Sequence, residues 1–404
     1  MANCNHPCLL AITCCLLLWV CQPASNAQGN NVPPTNKKLI EFVWDTPDPQ
    51  ELHDGVANWQ DRPFDGIVFT LSDNGSDLFN LSTYDPEKIG SEITLLHGLQ
   101  WGRFTDNFVL VTFTSTMDWT SDADWKIVLA HAALIGKAAK VAHCQGFVFD
   151  PEPYNGQDPW NYHQQPASSR LSFEQYSAVV RSRGALLMSV LQKYVPNAKV
   201  LSFYQNYEVL RELGELYDDT ARANALGGNG YGLMPSFFDG LLQAANSNIQ
   251  FIDGDEHSYY YSTSTDFSNV YGYIHQNASL YVARDLRNKY NAQERAAFAV
   301  YTDYIYDLYT GAGNNVTSAH MTPDQRNTWF ENNLYNGLNT SDEYVWLYSE
   351  RLHWWPNEDP RPPGMEQAIS DVKSKLDSSR PLNKDDQSTI LGAKIQQILT
   401  NIFH

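Results

Sequence analysis

Gly146-Phe147-Val148-Phe149-Asp150-Pro151-Glu152-Pro153-Tyr154 carries four uncharged residues, two of them aromatic, straight into two carboxylates two positions apart. Pro151 and Pro153 lack a backbone N–H and fix φ, so no helix passes through them. As a strand the stretch alternates: Val148, Asp150 and Glu152 take one face, Phe147 and Phe149 the other. A strand apolar on both faces belongs in a parallel sheet covered by helices. Acids at its C-terminal end then stand where an α/β barrel keeps its chemistry. Asp150 and Glu152 are therefore the first catalytic candidates. The competing reading is an acidic strand end that caps the next helix or holds a structural ion.

Seven further strand-like runs flank this one: 38–44, 66–70 and 108–113 before it, and 199–204, 249–252, 296–302 and 344–348 after it. Helical periodicity separates most of them, over 86–97, 122–141, 173–194, 267–290, 322–334 and 365–376. A first helix starts at Thr46-Pro47-Asp48. The alternation predicts an α/β chain forming a single (β/α)8 TIM barrel, with an insertion between strands five and six and an extra C-terminal helix over 389–403. A doubly wound sheet is the alternative. Long acidic and aromatic segments follow strands two, four, six, seven and eight, whereas helix-to-strand linkers are short, and that asymmetry favours the barrel. The glycine cluster at 227–232 has no strand leading into it and no Gly-Lys-Ser/Thr after it, so it is expected to be a mobile connection rather than a phosphate loop.

The 404 residues carry a net charge of −19, with 18% charged and 43% hydrophobic residues. This composition predicts a packed globular body and argues against a nucleic-acid partner, whose phosphates would be repelled. The 11 Trp and 23 Tyr supply aromatic faces for cores and for sugar rings alike. Leu9 to Val20 is a short apolar run, and Ser25-Asn26-Ala27 places small residues where a signal peptidase cuts. The expected organisation is a signal peptide over 1–27, a linker over 28–37 and a catalytic domain over 38–404, in a secreted or periplasmic protein. A lipoprotein signal around Leu18-Trp19-Val20-Cys21 is disfavoured by Val20, since a small residue is wanted before the cysteine. No later run reaches the ~18 apolar residues of a membrane span. Five of the six cysteines lie in the expected signal segment, leaving Cys144 as a buried small hydrophobe.

Acids at strand ends are Asp45, Asp150, Glu152, Asp253, Asp255, Glu256, Asp303 and Glu350. Cleaving a glycosidic bond needs two carboxyls, one kept neutral by burial to protonate the leaving oxygen and one ionised. The expected pair is Glu152 as acid/base with Glu256 or Asp253 opposite, Asp150 orienting Glu152, and Glu350 as the main rival. Trp44, Asp45, Tyr154, Tyr204, His257, Tyr259, Asp303, Trp346 and Trp354 are candidate substrate contacts. Core packing competes with a platform role for Trp346. No His-Glu-x-x-His, zinc-spaced cluster or Gly-x-Ser-x-Gly elbow occurs, so neither a metal nor another cofactor is expected. Asp253, Asp255 and Glu256 could together attract calcium on hard-oxygen grounds, the lesser reading of that trio. The partner is a carbohydrate, and the sequence carries no reading of oligomeric state.

With these residues in view, the chain resembles secreted bacterial (β/α)8 glycoside hydrolases whose fourth strand ends in a catalytic acid. The Asp-x-Glu ending is similar to that of chitinase-type enzymes. That resemblance implies that Glu152 protonates the bond, Asp150 orients an acetamido group and Trp346 floors the sugar. The departure is Val148, where that family has a further Asp, so hydrolysis of acetamido sugars stands as the alternative. Pairing strands four and six resembles instead the retaining α-galactosidase-like barrels, whose motifs are not reproduced. A non-catalytic carbohydrate-binding barrel is the reading from outside the enzymes.

Overall fold

The computed structural model describes residues 36–43, 46–72, 75–82, 85–114, 117–154, 158–308, 317–355, 359–382, 388, 390–395 and 398. The expected signal segment, most of the linker, Trp44 and Asp45 lie outside the described residues. So does part of the extra C-terminal helix, although 390–395 is helical, with Ile390 and Ala393 buried.

The strands are β1 (Lys38–Val43), β2 (Gly66–Phe69), β3 (Phe108–Thr112), β4 (Gly146–Asp150), β5 (Lys199–Ser202), β6 (Gln250–Asp253), β7 (Glu294–Ala296), β8 (Phe298–Tyr301) and β9 (Tyr344–Ser349). They form one sheet in the order β7-β6-β5-β4-β3-β2-β1-β9-β8, and every neighbouring pair is parallel. The expected seventh strand, 296–302, is therefore two. β7 pairs with β6 and β8 pairs with β9, and only Ala297 separates them, so the two ends of the sheet meet in one stretch of chain. The Ala297 N–H continues the seam to the Asp253 carbonyl at 2.8 Å. Counting β7 and β8 as one interrupted strand gives a closed α/β barrel of the (β/α)8 type.

Alternation along the strands builds two cores. Val148 points into the lumen with Ile40, Val68, Leu110, Leu201, Ile252 and Trp346. Phe147 and Phe149 point outward with Val109, Val200 and Phe251 against the helical shell. The helices flanking β4, Asp122–Val141 and Phe173–Tyr194, begin where their caps dictate. The Ser121 side chain accepts the Asp124 N–H, and Ser172 and Gln175 satisfy each other's backbone in a capping box. Among the described residues no helix is long and apolar enough to cross a membrane. Cys144 is a buried free thiol.

The 227–232 glycines join the helices Asp219–Gly228 and Met234–Ala244, and just beyond them the Leu233 N–H donates to the Trp160 carbonyl at 3.0 Å. With Asn206–Leu213 these helices make up the insertion between β5 and β6. The helix expected over 267–290 is not one α-helix: Ser264–Gly272 runs on as a π turn over Tyr273–Asn277 and a 3₁₀ turn over Ala278–Tyr281, is interrupted at Val282 and Ala283, and resumes through Arg284–Leu286 into Arg287–Gln293. Tertiary partners replace the missing helical bonds, a case of context overriding propensity. The Ala283 N–H goes to the Asp239 carboxylate at 3.0 Å, and the Arg287 guanidinium holds the Val282 and Leu280 carbonyls, each at 3.2 Å.

Gly146 opens β4 where the neighbouring backbone leaves no room, since a Cβ there would lie 1.9 Å from the Lys199 carbonyl oxygen. Gly146→Ala should destabilise the fold by about 3 kcal/mol, as overpacking against backbone does. Denaturant unfolding checks this, and a midpoint equal to wild type would mean that β4 and β5 are not this tightly spaced.

Candidate active site

At the C-terminal end of β4 the Asp150 carboxylate is buried and fully engaged. Its Oδ1 accepts the Glu152 N–H at 3.1 Å and its Oδ2 accepts the Tyr154 hydroxyl at 3.2 Å. The Trp160 indole N–H donates to the Pro151 carbonyl at 2.6 Å. These bonds take the place of the helical ones that Pro151 and Pro153 forbid, and they present Glu152 to the barrel mouth.

Two strands on, β6 delivers Glu256 on the short 3₁₀ turn Glu256–Tyr260. The turn is anchored from several sides. The Gly254 N–H donates to the Ser202 carbonyl at 2.7 Å, the Glu256 N–H to Phe203 at 3.2 Å, and the Trp346 indole N–H to the Gly254 carbonyl at 2.8 Å. Ser258 Oγ accepts the Ala299 N–H at 2.6 Å, which ties the turn to the closing seam at β8. Asp255 sits at φ 40°, the left-handed region that aspartate tolerates better than most residues. The turn thus places a fixed carboxyl at the mouth.

Glu152 and Glu256 line one cavity of about 440 Å³. Burial is the largest influence on Glu256, the negative charges of Glu152 and Asp150 add to it, and together they push its pKa up to about 8. Hydroxyl groups of Tyr204 and Tyr259 bond the Glu256 carboxyl and pull the other way without cancelling the rise. Burial likewise brings Asp150 up to about 7 against the opposing bonds from Glu152 and Tyr154. At neutral pH Glu256 is accordingly a protonated carboxylic acid facing a second carboxyl across a cavity. His257, on the same wall, is lowered by burial and by Arg211, so it is neutral.

The floor consists of tyrosines. Tyr259 stacks on Tyr348 with ring centres 5.4 Å apart and planes 10° apart, and Tyr301 packs 5.2 Å from Tyr348. Glu350 closes one side, its Oε1 accepting the Tyr301 hydroxyl at 3.2 Å.

Of the residues singled out in the sequence, Glu152, Glu256, Glu350, Tyr154, Tyr204, His257 and Tyr259 meet around this cavity. Asp150 lies at its edge and faces an adjoining one. Other candidates are placed elsewhere. Asp253 is enclosed beneath the turn and accepts the backbone N–H groups of Tyr207 and Asp255, at 3.3 and 3.2 Å. Asp303 is buried behind Glu350, accepting the Ser349 hydroxyl at 2.6 Å and the Glu350 N–H at 2.7 Å. Trp346 has no exposed surface and stacks on Phe203 at 4.3 Å, so it fills the lumen and is no sugar floor. Trp354 is buried outside the mouth, under the Arg361 guanidinium and against Phe64. Trp44 and Asp45 fall outside the described residues. Among those residues no group of three or more His, Cys, Asp or Glu side chains could hold a metal ion.

The cavity also takes Glu208, Arg211, Tyr260, Tyr301 and Tyr348, none of which is among the candidate contacts named from the sequence. Glu208 and Arg211 are ion-paired on the helix Asn206–Leu213, in the insertion. Their three-residue spacing suits any solvated helix face, so nothing local marked them. Tyr301 and Tyr348 end β8 and β9, and an aromatic at a strand's C-terminal end was a usable signal.

No protein-family model and no curated protein matches this chain. Solved structures that overlap it include a Thermobaculum terrenum O-GlcNAc hydrolase mutant, at 11% identity and a TM-score of 0.41, over 89% of this chain and 63% of that one. The chain thus spans less than two thirds of that hydrolase. A family 18 chitinase from Pseudoalteromonas aurantia overlaps at 11% identity and a TM-score of 0.37, covering 84% of this chain and 99% of that one. A Bacteroidetes-affiliated family 5 cellulase linked with a polysaccharide utilization locus overlaps at 9% identity and a TM-score of 0.42, covering 89% and 98%. Overlaps this loose carry no argument, and the barrel assignment rests on strand order and pairing.

The raised carboxyls make stability depend on pH. Asp150 and Asp253, each brought to about 7 mainly by burial, and Glu256, brought to about 8, hold protons that the unfolded chain has released. Their contribution is complete below the ordinary carboxylate range and is lost as pH rises through 7 to 8. The thermal midpoint should therefore fall by several degrees between about pH 5 and about pH 8.5, as measured by calorimetry. A midpoint that rises over that interval would contradict the burial of these groups.

Proposed function

We propose that the protein is a glycoside hydrolase in which Glu256 protonates the leaving glycosidic oxygen and Glu152 is the opposing carboxylate. One observation carries this reading: the Glu256 carboxyl, pushed up to about 8, shares a cavity with Glu152. The sequence had favoured Glu152 as the acid; the raised carboxyl of Glu256 is the ground for exchanging the roles. Asp150 and Tyr154 orient the Glu152 segment, and Tyr259, Tyr301 and Tyr348 offer their faces and edges to the sugar. As the oxygen–carbon bond breaks, the proton of Glu256 passes to the leaving oxygen. Glu152 supports the developing positive charge at the anomeric carbon, either by bonding to it or by drawing a proton from an attacking water.

Charge narrows the substrate. Glu152, Glu208 and Glu350 line the cavity beside the protonated Glu256, and Arg211, the one arginine there among the described residues, is already paired with Glu208. Uronate or sulfated sugars would meet repulsion there, so the substrate class is neutral or amine-bearing sugars. An exported protein, with residues 1–27 as its signal, fits a substrate met outside the cell.

Glu256→Gln should lower kcat by about a thousandfold while leaving binding nearly intact, the usual cost of removing a general acid. The wild-type kcat/KM should fall on the alkaline side with a midpoint of about 8. Because the Glu152 charge helps to raise Glu256, the residual activity of Glu152→Gln should lose its alkaline limb at lower pH. Reducing-end assays over a panel of neutral glycans, with product NMR for the anomer, check all three. Binding without hydrolysis anywhere in the panel would make this a carbohydrate-binding barrel instead.

A further inference from the structure

The acid cavity occupies only half of the barrel mouth. It lies over the C-terminal ends of β5, β6, β8 and β9, where Tyr204, Glu256, Tyr301 and Tyr348 sit. A second cavity of about 610 Å³ lies over the ends of β1 to β4. The two share a pair of walls, Tyr154 after β4 and Tyr348 at the end of β9. Strands four and nine stand across the ring from one another, with β3, β2 and β1 between them on one side. The two hollows thus adjoin across the mouth and meet at Tyr154 and Tyr348.

The second half is chemically suited to sugar. Phe42 stacks on Tyr348 with planes 16° apart and centres 5.8 Å apart, extending the aromatic floor of the first half into the second. Thr70, Thr112, Asp77 and Asp150 supply hydroxyl and carboxylate oxygens around that floor, and among the described residues no cationic side chain lines it. Such a lining accepts hydrogen bonds from hydroxyl groups and repels anions. Asp150 stands between the two, since it borders the second while its carboxylate bonds Glu152 and Tyr154, which line the first.

We infer that the β1–β4 hollow is a second carbohydrate subsite, so that the substrate is an oligo- or polysaccharide lying across the mouth and cut within its length. The inference rests on the glycoside hydrolase reading for the cut, but not for the binding. A chain bound in both halves places an internal linkage beside Glu152, where the halves meet. A pocket built to remove single terminal sugars would close at Tyr154 and Tyr348 instead.

Thr70 offers the cleanest test, because its hydroxyl makes only a 3.3 Å bond to the Leu71 carbonyl and its side chain borders the hollow. Thr70→Trp fills the subsite with a side chain. The probes are reducing-end-labelled cello-, manno-, xylo- and chito-oligosaccharides, from disaccharide to hexasaccharide, against the full chain. In wild type, kcat/KM should climb with length and the first products should be internal fragments. In Thr70→Trp the ratio of hexasaccharide to disaccharide kcat/KM should collapse by about tenfold or more. In parallel, calorimetry on Glu256→Gln should give tighter binding of the hexasaccharide than of the disaccharide, a difference that adding Thr70→Trp removes. Hydrolysis with no dependence on length, or a length dependence untouched by Thr70→Trp, overturns the subsite and leaves the hydrolase reading standing. Length-dependent, Thr70-sensitive binding without hydrolysis supports the subsite and removes the hydrolase. Thr70→Val keeps the volume and removes only the hydroxyl contact, so its loss on the hexasaccharide should be several-fold smaller than that of Thr70→Trp; a loss as large as that of Thr70→Trp would mean that the effect is not occupancy and would overturn the subsite.

Discussion

Burying the Glu256 carboxyl at the mouth of the barrel is the constraint on which the rest of the site depends. A carboxylate taken from water is costly unless it is neutralised, and a group this enclosed responds by keeping its proton. The burial has to be enforced, because a flexible loop would let the side chain swing out. Here the turn is stitched to β5 through Gly254 and Glu256, to β9 through the Trp346 indole and to β8 through Ser258. The interrupted strand is part of the same arrangement. Where β6 ends, Ser258 supplies the hydrogen-bonding partner that β8 would otherwise lack on that side, so barrel closure and acid placement share atoms.

The two carboxyls reach the mouth by different routes. Glu152 is carried by a proline-bracketed segment whose backbone is organised by Asp150, whereas Glu256 rides a strained turn held from below. Each arrangement keeps charge in a defined place, and the field of one shapes the protonation of the other. Tyrosine hydroxyls run through both. Tyr154 bonds Asp150, and Tyr204 and Tyr259 bond Glu256. Their own titration is pushed upward by burial and by these acids, so they stay donors. A preorganised set of donors around the carboxyls costs no reorganisation during a reaction.

Much of the fold was legible because two-residue alternation and helical periodicity agree from end to end. β4 starts and ends within the stretch that opened the reading, and the helices Asp122–Val141 and Phe173–Tyr194 fall where their apolar spacing and serine caps put them. Failures cluster where side chains from distant elements decide the backbone. Asp239 and Arg287 hold the Ala283 N–H and the Val282 carbonyl where the helix expected over 267–290 is interrupted, and the Trp160 carbonyl takes the Leu233 N–H just past the glycine-rich join. Strand-end acids were visible as a set, but their division of labour was not. Asp253 and Asp303 have the same sequence context as Glu256 and Glu350, yet they are spent on backbone N–H groups. Trp346 illustrates the same limit. Its alternation is right for the lumen, and only packing depth tells a lumen filler from a sugar floor.

The proton on Glu256 can be observed without any substrate. Difference infrared spectroscopy at neutral pH should show a protonated-carboxyl C=O band that titrates away with a midpoint of about 8, and that band should be missing from Glu256→Gln. A wild-type spectrum with no such band at neutral pH, or a band unchanged by Glu256→Gln, would contradict the assignment of Glu256 as the buried acid.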